Sequence, residues 1–297
     1  MALKGLKCDK HGTISFDEIA SGKCDCYPRF LLHSVAEISK KDYHTGNIIT
    51  PTTLIGCLRE TYLSRITDYY SPIESLYYSW RGTLIHKIME RKDLEGWMSE
   101  KVYSKTVEIT PARVFTITGQ IDGYDSFTQT LWDIKTIGDN GIGYVVKDGA
   151  KEDHIPQVNI YKWLLPLEVK RIRLLYITMM TFAQTGQINS LTKSLKTYPT
   201  KKKYGFSYMQ TPTREEISPS GYAPFKMFYD TPEVQIWTEE QVLDYIVPRA
   251  DIMIDAFEKR IMPPMCDEKT QAWKCDKYCN FKEQCDKYEE KQCQEKT

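Results

Sequence analysis

Residues 113–137, RVFTITGQIDGYDSFTQTLWDIKTI, constrain this chain more than any other stretch. Val114 to Ile121 and Thr130 to Ile137 alternate apolar and polar side chains, and the segment Asp125-Ser126-Phe127-Thr128 between them is turn-prone. The pattern predicts a β-hairpin. With its turn centred between Phe127 and Thr128, Asp122 faces Asp133 and Gln120 faces Lys135. Residues two apart share a strand face, and directly paired residues have Cβ atoms about 5 Å apart. Two carboxylates and an ammonium therefore converge. Carboxylates so close repel each other unless a cation lies between them. A divalent ion with oxygen ligands suits the spot, with Lys135 left to activate or orient a water, or to hold a phosphate. The plain alternative is an exposed hairpin with one Asp–Lys pair.

Around this hairpin the pattern is α/β. Thr50 reads as an N-cap with Pro51 in the first helical position, followed by an apolar stripe Leu54, Cys57, Leu58 and Tyr62. Residues 80–91 predict a helix with His86 and Glu90 on one face. Lys101 to Ile109 predicts a strand and His154 to Leu165 a helix, with Gln157 and Tyr161 one turn apart. Lys170 to Phe182 predicts an inner strand, and Val234 to Trp237 ends a last one. Thr238-Glu239-Glu240-Gln241 reads as a capping box opening a long helix to about Arg260, kinked at Pro248. The loop 138–143 is glycine-rich but lacks the lysine and serine of a P-loop. Residues 183–225 read as an insertion, in which Lys193, Lys196, Lys201, Lys202 and Lys203 mix with Tyr204 and other aromatic residues. Lysines attract phosphates and rings stack bases, so the segment reads as a single-strand guide or as a solvated loop.

Cysteine usage adds a second constraint. The N-terminus lacks an apolar signal region and no stretch of about 18 apolar residues occurs, so a cytoplasmic protein with no membrane partner is expected. Disulfides are rare there, and nine cysteines in 297 residues then ask for metal. Cys8-Asp9-Lys10-His11 and Cys24-Asp25-Cys26 bring three thiolates and an imidazole together, a donor set suited to tetrahedral structural Zn²⁺. Unrelated cysteines beside a surface histidine are the alternative. Cys275, Cys279 and Cys285 supply three clustered thiolates, which with a fourth make the usual set for a [4Fe–4S] cluster, while Cys57, on its apolar helical stripe, reads as a buried core thiol. A four-thiolate zinc site is its rival. The formal net charge is zero, so binding to DNA would need a local basic groove rather than overall charge.

Taken in order, GQID (Gly119 to Asp122), then DIK (Asp133 to Lys135), resemble the G-x-x-D…(D/E)-x-K core of the PD-(D/E)XK nucleases. Arg81-Gly82-Thr83-Leu84-Ile85-His86 is similar to the G-x-x-x-H helix of their RecB-type exonuclease branch. Gln157-Val158-Asn159-Ile160-Tyr161 is similar to its Q-x-x-x-Y helix. The cysteines resemble those of the iron–sulfur members, including the CRISPR-associated RecB-like exonucleases. The resemblance runs from about Ile49 to Cys285 and leaves the N-terminal Cys/His group outside it. The C-x3-C-x5-C spacing departs by one residue from the family's C-x-x-C-x5-C, which leaves Cys266 and Cys293 as alternative ligands.

The resemblance implies a PD-(D/E)XK core of mixed sheet flanked by helices over 46–262. An N-terminal extension with a zinc knuckle (1–45) precedes it, and an iron–sulfur segment (263–297) pairing with Cys57 follows. It implies that His86, Asp122, Asp133 and the carbonyl of Ile134 hold Mg²⁺ or Mn²⁺. Lys135 would position or deprotonate water, with Gln157 and Tyr161 in the catalytic pocket. The expected activity is a metal-dependent exonuclease on single-stranded DNA ends, 5′ to 3′. The alternative is a nuclease-derived DNA-binding subunit of a larger DNA-processing or CRISPR-like assembly, active only with protein partners. Self-association is compatible with the sequence, and nothing in it demands it.

Overall fold

A computed structural model describes residues 3–24, 26, 34, 48–90, 94–137, 145, 149–178, 228–231, 233–267, 271–275 and 279–295. The chain divides into two compact units. The first comprises Met1–Leu84, Ser104–Thr118 and Leu243–Thr297; the second comprises Ile85–Tyr103 and Gly119–Val242. Both mix helices with strands.

The first unit begins with a hairpin of β1 (Leu3–Cys8) and β2 (Gly12–Ser15), followed by α1 (Phe16–Ala20). Ser15 opens α1 with a capping box: its hydroxyl accepts from Glu18 N–H at 3.2 Å and its own N–H donates to the Glu18 carboxylate at 2.9 Å. A Cβ on Gly5 would overlap the Ile14 carbonyl oxygen, so glycine permits this close strand pair. Strand β4 (Tyr69–Pro72) adds parallel to β1, giving the order β2-β1-β4. This pairing was not legible in the sequence, since β4 is short and ends in proline.

In the same unit β3 (Ile48–Ile49) runs parallel to the first half of β6 (Arg113–Asp125). Helix α2 (Pro51–Ile55) starts as its sequence predicts, with Thr53 N–H donating to the Thr50 hydroxyl at 3.3 Å. It then stops at Gly56, and α3 (Leu58–Ile66) begins anew. The apolar stripe Leu54, Cys57, Leu58, Tyr62 thus spans two helices rather than one. The break leaves the last carbonyls of α2 without helical partners. Arg249 takes them, donating to Leu54, to Ile55 at 3.5 Å and to Gly56 at 2.9 Å. Arg249 belongs to α6 (Glu239–Lys259), which contains Pro248 and opens with the expected reciprocal Thr238–Gln241 bonds. A π-helical turn (Gln271–Cys275) and α7 (Lys282–Glu295) complete the unit.

The second unit is built on the predicted hairpin. The second half of β6 pairs antiparallel with β7 (Thr130–Ile137) through Gly123–Trp132, Tyr124–Leu131 and Asp125–Thr130, the register expected from the turn. Asp125 fixes that turn by accepting from Phe127 N–H at 2.9 Å and from the Thr128 hydroxyl at 2.8 Å. Strand β8 (Arg171–Thr178) lies parallel to β7 along its whole length, and β9 (Phe228–Asp230) lies antiparallel to β8. A parallel pair needs a long crossover, and α5 (His154–Leu164) lies on it. Buried Ile121, Leu131, Ile134, Val158, Ile160, Leu164, Ile172 and Leu174 form the core. Val234 to Trp237 is not a strand. Val234 N–H still donates to Ile172 O of β8 at 3.0 Å, and beyond it the Asn159 amide donates to Gln235 O at 3.1 Å and accepts from Trp237 N–H at 2.8 Å.

Candidate metal centres

The second unit gathers charged groups where β6 and β7 meet the end of helix α4 (Ile73–Met89). His86, Glu100 and Asp122 each offer a ligand atom within 4.8 Å of the others. His86 Nδ1 lies 3.4 Å from Asp122 and 3.8 Å from Glu100. The other Asp122 oxygen accepts from Ile134 N–H at 2.7 Å. This bond ties the carboxylate to β7. Asp133 sits beside this group, 1 % exposed, with Lys135 Nζ at 2.8 Å. Apart from that ion pair, neither Asp133 oxygen has a hydrogen-bond donor among the described residues.

The electrostatics follow from this crowding. Burial pushes the Asp133 carboxyl up to about 6, with Lys135 opposing the rise and Asp122 adding to it. The hydrogen bond to Asp122 raises His86 above its ordinary value against the effect of burial. Burial, then the Asp122 charge, raises Glu100. Three carboxylates against one lysine and one histidine form a donor set suited to a hard cation.

Glu100 was not anticipated. It lies in β5 (Trp97–Thr110), where a lone acid in an alternating strand reads as a solvated residue. It adopts φ +54°, in the left-handed region that a non-glycine residue seldom occupies, and its carboxylate also accepts from the Gln120 amide.

Gln157 and Tyr161 are brought together on α5, the Gln157 amide donating to the Tyr161 hydroxyl at 2.9 Å. Both are buried. Burial and then the Asp133 charge raise the Tyr161 phenol. Gly119 makes the approach of α5 to β6 feasible, because a Cβ there would lie 2.9 Å from both Leu164 and Tyr161.

In the first unit, Cys57, Cys266, Cys275, Cys279 and Cys285 line a cavity of about 330 Å³. Cys57 is the N-cap of α3, its sulfur accepting from Glu60 N–H. Cys275 ends the π-helical turn, 3.6 Å from Cys266. Burial pushes the thiols of Cys266 and Cys279 up, to about 12 and about 11. Two cations stand by: Arg59, buried and paired with Glu289 at 2.6 Å, and Lys274, paired with Glu60. Among the described residues no three of these cysteines bring their sulfurs within 4.8 Å of one another.

A third group joins Cys8, His11, Cys24 and Cys26, all four ligand atoms lying within 4.8 Å. The groups of Cys/His and of His/carboxylate residues can each hold a metal ion. Lys193, Lys196, Lys201, Lys202, Lys203 and Tyr204, with the insertion around them and the loop 138–143, lie outside the described residues. The side chain of Cys293 does too.

No family model matches the chain, and no curated protein matches it. A solved structure described as the crystal structure of SSO0001 is similar over 85% of this chain and 92% of that one, at 18% identity and a TM-score of 0.48. Fold and sites together define a mixed α/β protein with grouped metal-ligating residues. Among the described residues no helix is long and apolar enough to cross a membrane.

Proposed function

We propose that the second unit is the catalytic centre of a metal-dependent deoxyribonuclease of the PD-(D/E)XK class, a RecB-like exonuclease acting on single-stranded ends from 5′ to 3′. The observation that carries the reading is Asp133, a buried carboxylate whose single described partner is Lys135, beside a three-ligand group of His86, Glu100 and Asp122. A buried charge so placed is costly without a cation. Mg²⁺ or Mn²⁺ bound there would supply Lewis acidity and a more acidic water. Asp122, Asp133, His86 and Glu100 would hold it. Lys135 would position the attacking water or, in its neutral form, deprotonate it as a general base. Tyr161, held by Gln157, shapes the wall along which the strand is steered. In the first unit, Cys57, Cys275, Cys279 and Cys285 would hold a [4Fe–4S] cluster, with Cys266 as the neighbouring thiol. Arg59 and Lys274 offset the cluster's negative charge, and the cluster pins the C-terminal segment to α3.

The test is cleavage of end-labelled single-stranded DNA by anaerobically purified protein with Mn²⁺, Mg²⁺ or EDTA. Wild-type should cut from the 5′ end in either metal and not in EDTA. Lys135→Ala should lose about 10²–10⁴-fold, the range of general acid–base contributions, and Asp133→Ala should be inactive. Folded wild-type protein that leaves the DNA intact in both metals would sink the stand-alone nuclease reading.

A further inference from the structure

The Cys8, His11, Cys24 and Cys26 group lies outside the proposed catalytic and cluster sites, and its dimensions identify an ion. Cys8 ends β1, and His11 follows in the turn before Gly12, which takes φ +71°. The capping box of Ser15 starts α1, and after it Gly22, at φ +83°, turns the chain back. Cys24 and Cys26 follow and arrive beside the hairpin turn. Cys8 Sγ lies 3.6 Å from Cys26 Sγ and 4.0 Å from Cys24 Sγ. His11 Nδ1 lies 3.5 Å from the sulfurs of Cys8 and Cys26.

These are the edges of a metal tetrahedron. With Zn–S of about 2.3 Å and Zn–N of about 2.0–2.1 Å, tetrahedral geometry gives edges of about 3.8 Å between sulfurs and about 3.5 Å between sulfur and nitrogen. A disulfide would need sulfurs at about 2.05 Å, far closer than any pair here. The set holds no carboxylate, which disfavours Mg²⁺ or Ca²⁺. It is too tight for an iron–sulfur cluster. We propose that Cys8, His11, Cys24 and Cys26 form a closed, four-ligand structural Zn²⁺ site.

The local core explains the need. Leu6, Ile14, Ile19 and Cys24 are the buried residues of this module, with Cys8, Phe16 and Leu76 packed against them. Modules with so small a core usually require a disulfide or metal staple. The ion ties the turn of the hairpin to the segment after α1. Through β1 it also steadies β4, which leads directly into α4.

The experiment measures zinc by mass spectrometry in full-length protein purified without added metal, alongside cobalt substitution of the stripped wild-type protein. Expected are about one zinc per chain and, with Co²⁺, the intense visible d–d bands of a tetrahedral thiolate site. Cys26→Ser should lower zinc to background while the visible absorbance of the C-terminal cysteines persists. His11→Cys should keep the zinc and shift the cobalt bands towards a four-thiolate pattern. Cys275→Ser should leave the zinc unchanged. Zinc retained in Cys26→Ser, zinc lost in Cys275→Ser, or wild-type protein that takes up no tetrahedral cobalt would overturn the assignment. A Cys8–Cys26 disulfide recovered from zinc-free wild-type protein would overturn it equally. The cobalt spectrum of Cys275→Ser, which keeps all four N-terminal donors, decides the matter even where Cys26→Ser does not fold.

Discussion

Asp133 concentrates the chemistry of the second unit in one carboxyl. Burial holds its pKa near 6, above the unfolded value of about 3.9. In metal-free protein it therefore carries a proton below pH 6, and a cation must displace that proton to bind. Divalent-metal affinity should rise as pH increases through about 6 and go on rising until His86, raised above its ordinary value, has also lost its proton. Calorimetric Mn²⁺ titrations at pH 5 and pH 7.5 check this, and equal affinities would contradict the role given to Asp133. His154 behaves in the opposite sense. Burial lowers it to about 4, and its Nδ1 lies 2.7 Å from the Tyr176 hydroxyl. The unfolded chain, with a pKa of about 6.5, binds the proton more readily, so stability rises with pH through this window. It is complete above about 6.5 and is lost as pH falls towards 4. Denaturant melts of wild-type and His154→Gln should differ in slope between pH 7 and pH 5, with the variant flatter.

At the scale of elements, the hairpin was legible because three signals agree: alternation on both strands, an Asp-led turn and the apolar match across it. One register satisfies all of them, and Gly123–Trp132 and its neighbours adopt it. The helix around Cys57 was legible only in part. Leu54, Cys57, Leu58 and Tyr62 keep the same spacing whether the helix continues or restarts, and the restart is enforced by Arg249, far away in sequence. Glu100 could not be found at all, because its φ of +54° is set by tertiary context. The segment 234–237 shows the same limit, since among the described residues only its Val234 bonds β8 and the Asn159 side chain takes Gln235 and Trp237. Gly119, by contrast, has a physical reason for its place in the GQID phrase: it lets α5 approach β6. Gly119→Ala should cost about 1–3 kcal/mol, the usual range for overpacking, and should lower cleavage by moving Tyr161. Denaturant unfolding together with a kinetic assay checks both effects. An unchanged melt would mean that α5 yields freely.

Across the whole molecule the donor chemistry is sorted by unit. Carboxylates meet with the His86 imidazole in the second unit, and thiolates, joined by the His11 imidazole, collect in the first. Composition alone hides this, because charges balance to zero over the chain. The sorting suits two kinds of ion, hard divalent cations at the carboxylates and softer metals at the thiolates. Sequence spacing revealed which residues belong to each set. It did not reveal that Glu100 joins the carboxylates, whereas Cys266, which spacing left as an alternative ligand, does border the C-terminal cavity.

The central claim is that the carboxylate group of the second unit is a divalent-cation site. Its most direct test is Mn²⁺ binding followed by electron paramagnetic resonance at neutral pH, comparing wild-type with Asp122→Asn and Glu100→Gln. The account predicts saturable Mn²⁺ binding in wild-type, weakened about 10–100-fold in each variant, the loss typical when a group in or next to a metal shell is removed. Wild-type protein that binds no Mn²⁺, or variants that bind it as tightly as wild-type, would contradict it.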